Sequence, residues 1–296
     1  MTLTVRRLHA LFAGEASGVD ISKPFDPTTL TAVLAALDEY GVLVFRGTIL
    51  EEEAQIAFAT QFGTLEGQNG VITTGVKRRI SERLVDISNL DAGGAVLEQK
   101  DRRRMQALGN RLWHTDSSFK RIPAKYSLLH AHTVVSEGGE TQFADMRAAY
   151  DALSPRMQAK IAALAIEHSI FASRALFGFT DFTDEERRAL PPVHRPLVRQ
   201  HPGSGRKTLY LASHASHVLG WPVADGRMLL LDLMEHATQS QFVYTHEWQV
   251  GDLVIWDNRC TMHRARPYDE SERRDMRRAT IVDALDPAVH DLRIAS

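Results

Sequence analysis

A chain of 296 residues with 44% apolar and 24% charged side chains has the profile of an ordinary globular protein and can bury a sizeable core. Its formal net charge of -2 offers no bulk attraction for nucleic acid, and no apolar run approaches the roughly 20 residues of a membrane span. The N-terminal segment carries no apolar signal core, and the lone Cys260 rules out an internal disulfide, so one domain over residues 1–296 in a reducing, cytoplasmic setting is expected.

Asp26 and Pro27 precede an apolar stripe of Leu30, Val33, Leu34 and Leu37, which predicts a capped helix ending at Gly41. Val42 to Phe45 reads as a short buried strand, and a second helix is expected from about Glu51 to Phe62, closed by Gly63. Residues 64–108 hold glycine turns at 67–70 and 93–94, basic clusters at 77–79 and 102–104, and one strand-like run, Leu84 to Ser88. Such a long connection reads as a lid over a site, with the basic clusters as solvated lid or subunit-contact charges.

Tyr126 to Ala131 is strand-like, Ser154 and Pro155 open a helix through Leu164, and residues 178–196 read as a polar, proline-rich loop. Pro196–His201 and Lys207–Leu211 flank a glycine turn and predict a hairpin. Gly226 to Ala237 predicts an apolar helix, either core or subunit contact in a homo-oligomer. Phe242–Tyr244, Asp252–Trp256 and Arg278–Val282 are strand-like, with Gly251 and Asp252 as a hairpin turn. No βαβ rhythm shows, so an α+β fold with an antiparallel core and added helices is expected.

The chemistry gathers around His114, Asp116 and His263. Positions i and i+2 of an extended strand face the same way, so His114 and Asp116 can converge while Trp113 and Thr115 pack behind. Two imidazoles and one carboxylate hold one face of a ferrous ion and leave the other open. Zinc accepts the same ligands, but no further Cys or His stands at zinc-like spacing beside either segment. Arg274 and Arg278 lead into a buried-looking strand, and both can send a guanidinium fork into one pocket. Arg273 and Arg277 read as a solvated edge. His168 and His201 read as satisfied structural histidines, Cys260 as small buried filler, and His214 and His217 as loop residues.

The segments Trp113-His-Thr-Asp-Ser-Ser-Phe119, Gly138-Gly-Glu-Thr141, Phe143 to Tyr150, Trp256-Asp-Asn-Arg259 and Arg274 to Thr280 resemble the taurine/2,4-dichlorophenoxyacetate dioxygenase family. Those enzymes use iron(II), 2-oxoglutarate and dioxygen, and the nearest branch is the α-type that acts on aryloxyalkanoates. The resemblance implies a double-stranded β-helix, or jelly-roll, core with flanking helices and an active-site lid. It implies His114, Asp116 and His263 as metal ligands, and Thr141 and Arg274 on the distal carboxylate of 2-oxoglutarate, with Trp256 beside the metal. Arg278 matches the arginine on the substrate anion, and Asn110, Ser117 and Phe119 match substrate-side positions. A histidine of the taurine-directed enzymes has no counterpart in residues 66–73.

The implied reaction hydroxylates the carbon beside the ether oxygen of an aryloxyacetate. Succinate and carbon dioxide leave, and the hemiacetal collapses to a phenol and glyoxylate. The alternatives are an alkylsulfonate dioxygenase, a zinc hydrolase, and a metal-bound sensor without turnover.

Overall fold

The computed structural model describes residues 2–67 and 77–284. Most of the turn expected at 67–70, and the substrate-side positions up to 73, lie outside the described residues.

The first helix, Pro27–Tyr40, forms as its caps dictate. The Asp26 carboxylate accepts from the backbone N–H groups of Thr28 and Thr29. At the other end Gly41 turns left-handed with φ 68, and its N–H returns to the Leu37 carbonyl. The chain then enters strand Val42–Phe45, which runs parallel to Gly14–Ser17. One strand–helix–strand crossover is therefore present, against the expectation of none. Gly14–Ser17 is too short and polar to read as a strand, and Gly14 is needed there because a Cβ would lie 2.4 Å from Val5 Cγ1.

Seven strands form the large sheet, in the order Thr4–Arg7, Gly14–Ser17, Val42–Phe45, Leu253–Asp257, Ala124–Thr133, Asp275–Val282 and Val85–Asp86. Register separates its two faces. Val254 lies opposite Val44 and Leu129, and Trp256 opposite Val42 and Ser127. On the other face Leu43, Phe45, Leu253, Ile255, Leu128 and Ile281 pack with Val33 and Leu37 of the first helix and Ile56 and Phe58 of helix Glu52–Thr60. Burial on both faces is why these strands read as unbroken apolar runs.

A smaller sheet carries Thr141–Asp145 between Val243–His246 and Thr261–Ala265. Its Phe143 reaches across to the large sheet, with ring centroids 5.5 Å from Trp256, and joins Val42, Val44, Val254 and Met276 in one buried cluster. Burying a side chain such as Phe143 contributes roughly 1.5–3 kcal/mol, so this seam holds the sheets together. Helices Met146–Asp151 and Val223–Ala237 back the smaller sheet through Ala149, Leu229 and Leu233. Gly251 and Asp252 do form a turn, but not a hairpin. Val243–His246 pairs with Thr141–Asp145, whereas Leu253–Asp257 belongs to the large sheet, so the turn carries the chain from one sheet to the other.

Four further expectations change. Residues 64–108 contain helix Arg102–Ala107 and lead into a 3-10 turn, Leu108–Arg111. Residues 178–196 contain helix Asp184–Ala189, opened by a capping box between Thr183 and Glu186, and strand Val193–Pro196. The basic clusters are not simply solvated. Arg79 bridges Asp86 and Asp275, Arg102 pairs with Glu186, Arg103 with Asp101, and Arg104 with Glu270. Arg277 is likewise paired, with Asp275 and Glu52, while Arg273 stays exposed. Among the described residues no helix is long and apolar enough to cross a membrane.

Candidate active site

His114 and His263 meet through their backbones. Each N–H donates to the other's carbonyl, at 3.0 and 2.8 Å, which sets the rings 4.1 Å apart between centroids. Asp116 does not reach them along an extended strand. Residues 116–119 form a turn in which Ser117 adopts φ 53, and the Asp116 N–H donates to Asn258 Oδ1 at 3.1 Å. The turn folds the carboxylate back, placing Asp116 Oδ1 3.8 Å from His114 Nε2 and Oδ2 3.6 Å from His263 Nε2. One ligand atom from each residue lies within 4.8 Å of the others.

The protonation states suit a metal. His114 Nδ1 is 2.8 Å from the Leu112 carbonyl, which can only accept, so Nε2 keeps its lone pair for the site. Burial lowers the pKa of both imidazoles and keeps them neutral. Burial alone would raise the Asp116 carboxyl. The Arg278 guanidinium, helped by the Ser127 hydrogen bond, outweighs it and holds the group well below the usual carboxylate range. His263 Nδ1 is buried without a partner among the described residues. Two neutral nitrogens and one anionic oxygen, converging from buried positions, fit a divalent ion with imidazole and carboxylate affinity.

A supporting layer fixes the carboxylate. Ser127 Oγ donates to Asp116 Oδ2 at 2.7 Å, and Asn258 Nδ2 donates to Ser127 Oγ at 3.0 Å. Asn258 Oδ1 also accepts from Trp256 Nε1 at 3.1 Å, and the Trp256 ring lies 4.7 Å from His263. Trp256 is thus both packing for the sheet and a wall of the site. Neither Ser127 nor Asn258 was singled out from sequence. A serine between Tyr126 and Leu128 in a buried strand was the available signal.

His114, His263 and Trp256 open onto a cavity of about 430 Å³, lined also by Thr141, Arg274, Arg278, Asn110 and Phe119. Thr141 begins its strand after Gly138 and Gly139, both at positive φ. A Cβ on Gly138 would lie 2.5 Å from the Pro267 carbonyl, so only glycine fits that turn. Arg274, just before strand Asp275–Val282, and Arg278, within it, reach the same cavity with buried Met276 between them, as their even spacing implies. Arg274 is buried, donates to the Ile87 carbonyl at 3.2 Å and lies over the Tyr268 ring. No carboxylate among the described residues pairs with it, and burial lowers its pKa. Arg278 Nη1 donates to Asp116 Oδ1 at 2.5 Å, and its Nε has no partner among the described residues.

Ser117 departs from its expected place. It is not among the residues lining the cavity, and its hydroxyl donates to Glu66 Oε2 at 3.0 Å. His214 is buried near the site, with its ring 4.7 Å from Phe119, and Nδ1 is 2.9 Å from Ser173 Oγ. His217 sits in strand Ala215–Val218 beside Glu167. His201 pairs with Asp257, whose carboxylate is also taken by Arg259, and Cys260 is fully buried. One cavity-lining residue that sequence reading missed is Arg174 of helix Ile170–Ala175. Nothing in its local sequence, a lone arginine among small and apolar residues, distinguishes it.

Comparison with known proteins agrees with this geometry. Residues 4–280 match the family described as taurine catabolism dioxygenase TauD, TfdA family. The chain is 48% identical to the alpha-ketoglutarate-dependent 2,4-dichlorophenoxyacetate dioxygenase of Cupriavidus pinatubonensis, over 96% of this chain and 99% of that protein. It is 37% identical to a (S)-phenoxypropionate/alpha-ketoglutarate-dioxygenase of Sphingobium herbicidovorans, over 95% and 94% of the two chains. Among solved structures, AAD-2 in complex with Mn(II) and N-oxalylglycine superposes with a TM-score of 0.89 at 48% identity, covering 96% of this chain and 98% of that one. A taurine dioxygenase from Burkholderia xenovorans superposes with a TM-score of 0.76 at 29% identity, covering 95% and 89%. The converging ligand set and these matches together establish that the chain belongs to the TauD, TfdA family of dioxygenases.

Proposed function

We propose that this enzyme couples oxidative decarboxylation of 2-oxoglutarate to hydroxylation of an aryloxyalkanoate, with 2,4-dichlorophenoxyacetate as the model substrate. The observation that carries the reading is Arg274. A guanidinium buried without a counter-charge costs several kcal/mol, and a carboxylate entering the cavity beside Thr141 would relieve it. A zinc hydrolase or a passive metal sensor would leave Arg274 and Thr141 without a task. We take the core as a jelly roll over a single domain spanning residues 1–296, in keeping with the two facing sheets. We also infer a homo-oligomer, since Val223, Met228 and Leu231 remain exposed on their helix.

In this reading His114, Asp116 and His263 would hold iron(II), leaving one face open. When bound, iron(II) with 2-oxoglutarate and dioxygen supplies the oxidising power, with succinate and carbon dioxide as co-products. The chain's own residues bind and orient. The Thr141 oxygen accepts a hydrogen bond from Trp248 Nε1 at 3.0 Å, so its own proton is free to donate to the distal carboxylate of 2-oxoglutarate, paired with Arg274. Arg278 engages the substrate's anion, and Asn110 and Phe119 bound the substrate space. Holding the acid end fixes which carbon faces the oxidant, a gain of position rather than of charge. Hydroxylation at the carbon beside the ether oxygen gives a hemiacetal, which breaks to a phenol and glyoxylate.

An alkylsulfonate is the second reading, on the likeness to the taurine dioxygenase structure. Leu90, Leu97, Ile170 and Phe119 give the cavity an apolar lining, which suits an arene better than an aminoalkyl chain. Succinate and phenol appearing together, only when iron(II), 2-oxoglutarate and an aryloxyacetate are all supplied, is the expected result. Taurine consumed faster than any aryloxyacetate would reverse the order of the two readings.

A further inference from the structure

We propose that Arg174 is a specificity-determining residue that selects a carboxylate-bearing substrate by pairing with its anionic end, alongside Arg278. The proposal rests on the 2-oxoglutarate oxygenase reading above and names a group that no resemblance assigns.

Arg174 lies on helix Ile170–Ala175, whose first turn is capped by Ser169, and its side chain lines the same cavity as His114, Arg274 and Arg278. Its seat is shaped by Gly109. A Cβ at Gly109 would lie 2.2 Å from Arg174 Nη1, so the guanidinium occupies the space that a side chain there would fill. Gly109 is in the turn that presents Asn110, so Arg174 is packed against the substrate-side wall. Its hydrogen bond to Ser173 Oγ is long, at 3.3 Å, and the Phe177 ring lies 5.9 Å away.

The other half-buried arginines around this cavity have committed their charge. Arg79 is paired with Asp86 and Asp275, Arg103 with Asp101, and Arg104 and Arg111 with Glu270. No carboxylate among the described residues pairs with Arg174, and burial draws its pKa down to about 10, which leaves it cationic at neutral pH.

Counting charges assigns the partner. Of the cavity guanidiniums that are not solvent-exposed, two, Arg274 and Arg174, lack a protein counter-ion among the described residues, and 2-oxoglutarate offers its distal carboxylate to the first. Arg278 gives Nη1 to Asp116 and so brings only part of its guanidinium to the substrate anion. The charge left uncommitted at the substrate wall is that of Arg174, and a planar fork of donors matches a carboxylate in two-point contact. A neutral substrate would leave it buried and unpaired, which is the basis for discrimination.

The test uses the iron-loaded enzyme with 2,4-dichlorophenoxyacetate and its neutral primary amide. Wild type is expected to favour the acid strongly. Arg174→Met should raise KM for the acid about 10- to 100-fold, the range of one charged hydrogen-bonded contact. Its KM for 2-oxoglutarate should stay within about twofold, its preference for acid over amide should fall by the same factor, and Arg174→Lys should restore part of the loss. An unchanged acid-to-amide preference would overturn the proposal, as would a 2-oxoglutarate KM that rises in step with that of the acid. If Arg174→Met does not fold, Arg174→Lys and the wild-type preference still decide, since a wild type indifferent to acid or amide also overturns it. Failure of the parent reading looks different: wild type forms no succinate with any acid or sulfonate. Calorimetric binding of the acid then decides the role of Arg174, with equal affinity in wild type and Arg174→Met counting against it.

Discussion

Arg278 Nη1 and Asp116 Oδ1 lie 2.5 Å apart, while the other carboxylate oxygen, Oδ2, accepts from Ser127. The carboxylate that completes the proposed metal-ligand set is therefore held from two sides, by a charge from strand Asp275–Val282 and by a hydroxyl from strand Ala124–Thr133. The ion pair keeps Asp116 ionised despite its burial, and the hydroxyl fixes its plane. Outer partners of this kind typically change metal affinity by about 10- to 100-fold. Ser127→Ala should weaken iron(II) binding by roughly that factor with the fold intact, measured by metal titration and circular dichroism.

We assign separable tasks to Arg274, just before that strand, and Arg278, within it. Arg274→Ala should raise KM for 2-oxoglutarate by about 100-fold, with little effect on substrate KM. Arg278→Ala should act chiefly on the substrate and, through Asp116, weaken the metal. Steady-state kinetics varying each substrate in turn check the division, and the reverse pattern would exchange the roles.

Trp248 reaches Thr141 from the segment after strand Val243–His246. Its indole N–H occupies one acceptor position of the Thr141 oxygen and leaves the hydroxyl proton to be aimed at a ligand. Trp248→Phe should raise KM for 2-oxoglutarate about three- to tenfold while kcat at saturation changes little. An unaltered KM would mean that the hydroxyl needs no such orientation.

His168 provides a prediction about stability and pH. It is fully buried, 2.9 Å from Ser118 Oγ, and burial together with Arg195 and Arg199 lowers its pKa from 6.5 to about 3. The unfolded chain takes up this proton below pH 6.5 and the folded chain does not. The stability associated with neutral His168 is thus complete above pH 6.5 and is lost as the pH falls toward about 3. Its maximum slope is roughly 1.4 kcal/mol per pH unit. Urea unfolding of His168→Gln between pH 6.5 and 4 should show a shallower loss than wild type.

Much of this was legible in the chain. The caps around Pro27–Tyr40, the apolar runs of the large sheet and the identity of His114, Asp116 and His263 all follow from local pattern or motif. What escaped depends on tertiary contact. Asp116 reaches its partners through a turn stabilised by Asn258, a residue 142 positions away. Gly251 looks like a hairpin turn because its local chemistry is the same whether the chain returns along one sheet or crosses to another. Arg79, Arg102 and Arg277 look like solvated charge because each has a carboxylate partner distant in sequence, Asp275, Glu186 and Glu52 respectively. The helix Asp184–Ala189 is different: its capping box, Thr183 and Glu186, is local, but Pro191, Pro192 and Pro196 just after it give the stretch the composition of a loop.

The most direct measurement is the joint yield of succinate and phenol from 2-oxoglutarate and 2,4-dichlorophenoxyacetate, compared between wild type and Asp116→Ala under iron(II) and air. Wild type should form the two products in equal amounts, and Asp116→Ala should form neither and bind iron weakly. Undiminished product from Asp116→Ala would contradict the metal-ligand role of Asp116, and phenol formed without succinate would contradict the coupling to 2-oxoglutarate.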